Sequence, residues 1–113
     1  MTGAEAEDLA LRHLQRQGLR LVDRNVRYRG GELDLVMLDG TVLVVVEVRL
    51  RSHGAFGGAA ASVDARKQRR IILATQLYLA EHAAHAQRVV RFDVVALDGG
   101  GKLDWILAAF DGF

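Results

Sequence analysis

Residues 31–50 read GELDLVML (31–38), DG (39–40) and TVLVVVEVRL (41–50), and this stretch decides the fold. Two runs of β-branched and aliphatic residues meet at Asp39-Gly40, a dipeptide that favours a tight hairpin turn. Residues 42–46 are apolar on both faces, as in the middle strand of a covered sheet. A two-residue turn at Asp39-Gly40 sets Asp34 opposite Val45 and Glu32 opposite Glu47. Side chains alternate along a strand, so Glu32, Asp34, Val36, Leu43, Val45, Glu47 and Arg49 share one face. Three carboxylates then gather at one end of an otherwise apolar hairpin. Like charges opposed across a sheet repel, and a half-buried carboxylate without a partner is costly. Two compensations are open. One is an ion pair between Glu47 and Arg49, two residues on. The other is a divalent cation: carboxylates with backbone oxygens and waters suit Mg²⁺, which favours sites completed by substrate phosphates.

Upstream, Ala6, Ala10, His13, Leu14 and Gln17 recur at helical spacing, predicting a helix over 3–17 that stops at Gly18. Glu7 lies on its apolar stripe near Ala10, Leu11 and Leu14, where an acid is unexpected unless it only favours the helix N-terminus. Residues 19–28 alternate as a strand with a bulge at 23–25, and Gly30-Gly31 breaks it. Downstream, 52–61 reads as a loop rich in Ser, Gly and Ala. Ser62 or Asp64 caps a helix running to about His85 through Ile71, Ile72, Thr75, Tyr78 and Leu79. A strand over 89–97, a turn over 98–101 and a last strand or short helix over 103–110 complete the order αβββαββ. A helical crossover from the third strand to the fourth implies a parallel, right-handed connection at the sheet centre. Phe92, Trp105 and Phe110 are expected in the core.

The whole chain, 1–113, reads as one soluble α/β domain, half apolar and about a quarter charged. That length excludes a two-domain cofactor-binding architecture. Without cysteine, disulfides and thiolate metal sites are excluded. No stretch is apolar enough to span a membrane and the N-terminus lacks a signal pattern, so no membrane partner and a cytoplasmic location are expected. The net charge of +1 hides a division. Residues 1–48 hold 6 Arg against 8 acids, 49–91 hold 7 Arg and 1 Lys against 2 acids, and 92–113 hold 1 Lys against 4 acids. Arg66, Lys67, Arg69 and Arg70 occupy the first turns of the second helix, where the dipole favours anions. Phosphate is a natural external partner, and the Gly-rich stretch 54–58 lets a backbone approach closely; a solvated charged face is the alternative. His82 and His85 form either a metal pair or a solvated tail, while His13 and His53 have no visible partner. No phosphate-binding glycine motif or serine nucleophile elbow is present.

Glu7-Asp8-Leu9-Ala10, Asn25, Gly30-Gly31-Glu32-Leu33-Asp34-Leu35-Val36 and Val46-Glu47-Val48-Arg49-Leu50-Arg51, in this order, resemble the bacterial YraN family. Phe56-Gly57-Gly58-Ala59-Ala60-Ala61-Ser62-Val63, Lys67-Gln68 and Arg91-Phe92-Asp93-Val94-Val95 extend the resemblance over nearly the whole chain. It implies a restriction-endonuclease-like αβββαβ core with a mixed central sheet flanked by helices, similar to archaeal Holliday-junction resolvases. It also implies a nuclease centre of the PD-(D/E)XK type. Asp34 and Glu47 then match the two acids that hold Mg²⁺ or Mn²⁺, and Glu7 matches an acid on the first helix of resolvase-like members. Arg49 falls where the motif has lysine. Arginine is a poor general base but can stabilise phosphate charge, and Lys67 can take the lysine's place.

The implied activity is metal-dependent endodeoxyribonuclease action on structured, branched DNA. Glu7, Asp34, Glu47, Arg49 and Lys67 would be catalytic. Arg49, Arg51, Arg66, Lys67, Arg69 and Arg70 would follow the nucleic acid. Resolvases of this fold act as symmetric dimers, and 42–46 or the C-terminal strand offers an interface. Two other readings stand beside it: a non-catalytic nucleic-acid-binding module in DNA processing, and a structural domain with a plain Glu47–Arg49 ion pair.

Overall fold

The computed structural model describes residues 1–51 and 62–113, and in it the 31–50 hairpin forms the middle of a five-stranded sheet. Its elements are α1 (Gly3–Arg16), β1 (Arg20–Tyr28), β2 (Gly31–Asp39), β3 (Val42–Leu50), α2 (Ala65–Glu81), a 3₁₀ turn (Ala83–His85), β4 (Val90–Leu97) and β5 (Leu103–Phe110). The strands lie in chain order, antiparallel except for the β3–β4 pair, which α2 connects in parallel. This is a mixed α/β fold with the αβββαβ core expected, and 103–110 is a strand. The loop expected over 52–61, with its 54–58 glycines and His53, lies outside the described residues. No helix among the described residues is long and apolar enough to cross a membrane.

Both helices start on side-chain caps. Thr2 and Glu5 form a reciprocal capping box on α1, and the Asp64 carboxylate accepts the Lys67 N–H at 2.8 Å. The second helix ends at Glu81 rather than near His85, and the chain tightens into the 3₁₀ turn. Alternation along the strands divides the core. Leu35, Met37, Val44, Val46, Val95 and Leu97 pack under α1, while Val36, Leu38, Leu43, Val45, Phe92 and Val94 pack under α2. Each such side chain contributes about 1.5–3 kcal/mol by leaving water. Residues 43–46 are buried on both faces and paired at both edges, so these four residues present no free surface.

The turn differs from the one read in the sequence. Asp39 pairs with Val42, so Gly40-Thr41 forms it, with Gly40 at φ +60°. In β1 the extra residue falls at Val22, between Leu21 and Asp23, rather than at 23–25. Asn25 is nevertheless irregular, with φ +53°. The β1–β2 tip presses on α2 so closely that a Cβ at Gly31 would overlap the Arg70 carbonyl. Gly31→Ala is therefore expected to cost about 2 kcal/mol in urea unfolding, since backbone rather than a pliable side chain must move. An unchanged midpoint would show that the tip floats free of the helix.

Candidate metal and nucleic-acid site

Alternation fails once in β2, and the acids meet there. Leu33 packs under α2 whereas Leu35 packs under α1, so the strand changes face at Asp34. The β2–β3 ladder ends at Leu35–Val46, and one step further its register brings Asp34 level with Glu47, not Val45. Past that point the Val48 N–H donates to Asp34 Oδ2 at 2.9 Å. Glu32 is not part of the group: it is exposed and pairs with Arg27 at 3.7 Å.

Glu47 is only 5% exposed, on the face covered by α2. Its ion-pair partner is Lys67, whose Nζ lies 3.6 Å from Oε1, and not Arg49. Burial foremost, then the charge and hydrogen bonding of Asp34, pushes its carboxyl up to about 8, against the pull of Lys67 and Arg49. Glu7 approaches from α1. Burial, then Asp34, raises its pKa, while Arg24, 3.6 Å away, opposes the rise. Among the described residues no three His, Asp or Glu side chains converge as a ready ligand set. The centre is the Asp34–Glu47 pair, two buried acids with the Lys67 ammonium beside Glu47. A hard cation that keeps waters and adds phosphate oxygens fits such a pair better than a closed protein cage would.

Two clefts adjoin it through Lys67, which lines both, as does Arg70. One, of about 290 Å³, is lined by Arg49, Ser62, Asp64, Arg66, Lys67 and Arg70. The other, of about 440 Å³, runs along the β1–β2 tip past Arg27, Arg29 and Gly30-Gly31. Arg27 and Arg29 were not among the expected contacts, because in the sequence their charge is cancelled by nearby acids. Arg69 is exposed and lines neither cleft, and Arg51 is held by Asp104 at 2.7 Å. His82 and His85 each have a partner within the protein. A His82 ring nitrogen meets the Tyr78 carbonyl at 2.7 Å, and His85 accepts from Arg88.

A family model described as uncharacterised protein family UPF0102 matches residues 6–97. The chain belongs to UPF0102. The YraN resemblance read from the sequence points to this same family. A UPF0102 protein of Pseudomonas entomophila is 54% identical, over 96% of this chain and 92% of its own length. One from Stutzerimonas stutzeri is also 54% identical (97% and 94%), and one from Pseudomonas aeruginosa 53% identical (96% and 91%). The span matched by the UPF0102 model runs from α1 to the end of β4. It therefore includes Glu7, Asn25, Asp34, Glu47, Lys67 and Arg70, and leaves out β5.

Proposed function

We propose that this chain is a metal-dependent nuclease acting on the phosphodiester backbone of structured DNA. The observation that carries the reading is the buried Asp34–Glu47 pair, with Lys67 Nζ 3.6 Å from Glu47 and the same Lys67 lining two arginine-bearing clefts. A purely structural acid pair has no need of a lysine shared with two basic clefts. Asp34 and Glu47 would hold Mg²⁺ or Mn²⁺, which when bound supplies a water of lowered pKa and positive charge against the phosphate.

The chain's own residues do the rest. Lys67 brings an ammonium beside Glu47, where it can orient a water or donate to a phosphate oxygen. Arg49 keeps its charge and suits phosphate binding rather than base work. Arg66 and Arg70 on one side, and Arg27 and Arg29 on the other, present planar forks to the backbone. Glu7, on the α1 side of Asp34, serves as an auxiliary acid. Preference for branched DNA rests on the family resemblance.

Nicking of a synthetic four-way junction in Mg²⁺ or Mn²⁺ tests this. Cleavage is expected to fall roughly a thousandfold in Asp34→Ala and Lys67→Ala. Arg29→Ala and Arg70→Ala should each lower the salt slope of binding by about 1. Arginine at position 49 is what favours the second reading, a binding module without chemistry. Salt-sensitive binding with no cleavage in either ion would establish that module, and no DNA binding at low salt would remove both.

A further inference from the structure

Asn25 and Asp34 face each other across the β1–β2 ladder, since Arg24 is opposite Leu35 and Val26 opposite Leu33. Both strands change face at this level. Arg24 reaches Glu7 and Asp8 of α1, whereas Val26 packs on the α2 side; Leu35 and Leu33 divide the same way. Regular alternation would keep each of these two strand neighbours on a single side. The φ of +53° at Asn25 is left-handed, a conformation that Gly, Asn and Asp tolerate and other residues resist. One such residue reverses the pleat, so β1 follows the change in β2 without losing its pairing. Asn25 is exposed, so core packing does not impose its conformation.

We infer that Asn25 is a positioning residue, whose left-handed backbone sets the matched change of face that aims Asp34 at Glu47 and at the Val48 N–H. This rests on the reading of Asp34 and Glu47 as the active pair, and adds which residue aims them. The Asn25 amide also lies beside the Glu7 carboxylate, so two of the three acids adjoin it.

Hydrogen exchange at the Val48 amide, followed by NMR on the full chain, reads the position of Asp34 directly. Asn25→Ala is expected to speed that exchange about tenfold, while Asn25→Gly and Asn25→Asp retain wild-type protection. The Leu43 amide, bonded to the Val89 carbonyl at 2.9 Å near the opposite end of β3, should not change and controls for global stability. Asp34→Ala should expose the Val48 amide in any background. Rescue by glycine separates a backbone role from a side-chain one. Wild-type exchange at Val48 in Asn25→Ala would overturn the inference, as would equal loss in the glycine and alanine variants. In parallel, Mn²⁺ uptake by the protein alone is expected to weaken severalfold in Asn25→Ala only. If the wild-type chain takes up no Mn²⁺, the nuclease reading falls and the Val48 amide still decides the role of Asn25.

Discussion

Glu47→Gln is expected to make the metal-free protein more stable at alkaline pH while abolishing its response to divalent ions. Glu47 is buried next to Asp34, and its carboxyl is pushed up to about 8 from the ordinary 4.5. A folded pKa above the unfolded one means that the fold favours the protonated acid. That contribution is complete below about pH 4.5 and is lost as pH rises through 8. Above pH 8 the folded chain bears the whole cost of a buried carboxylate, which glutamine never carries. The gap between variant and wild type should widen to roughly 4 kcal/mol, or about 10 °C or more in Tm, between pH 5 and pH 9 in chelator. Millimolar Mn²⁺ should close the gap by raising the wild type alone, because a bound cation offsets the charge. Thermal melts across pH, with and without the ion, measure both effects. Parallel pH profiles for the two proteins would show that Glu47 is not held against its charge.

Much of this centre was legible in the sequence because it rests on local pattern. Alternation in 31–38 and 41–50 located the hairpin, and the long crossover helix dictated the parallel pair. The turn was misplaced, yet Val36, Leu43, Val45 and Glu47 stayed on one face. Moving the turn by one residue, from Asp39-Gly40 to Gly40-Thr41, shifts the pairing by two, and side chains repeat every two. The change of face between Leu33 and Leu35 was not legible, since no pattern within β2 announces it. The Lys67–Glu47 pair was equally hidden. It depends on how α2 crosses the sheet, whereas Arg49, two residues from Glu47, was the partner that strand periodicity offered. Arg27 and Arg29 are hidden in the sequence because the acids of 1–48 outnumber the arginines there. The fold brings both onto one rim with Arg70, some forty residues away in sequence.

Asp93→Ala is expected to cost about 3–5 kcal/mol of stability. Asp93 is fully buried on β4 and collects donors from three directions. Arg91 donates through Nε and a terminal nitrogen at 2.9 and 3.0 Å, the Trp105 indole N–H at 3.0 Å, and the Ala108 N–H at 3.0 Å. The last of these explains an irregular edge. β5 carries extra residues between its pairings with Phe92 and Val94, and Ala108 sits among them at φ +50°. A backbone turned out of its ladder needs another acceptor, and the Asp93 carboxylate supplies it. Alanine would leave an indole N–H, a backbone N–H and much of a guanidinium without their acceptor. Asparagine keeps one acceptor oxygen of the two, so Asp93→Asn should fall between wild type and Asp93→Ala in urea unfolding. A loss under about 1 kcal/mol in Asp93→Ala would mean that water takes the carboxylate's place. None of the acids or cleft arginines comes from β5. Below its lowered melting temperature, Asp93→Ala should therefore still bind Mn²⁺ with wild-type affinity, the reverse of Glu47→Gln, which gains stability and loses the ion.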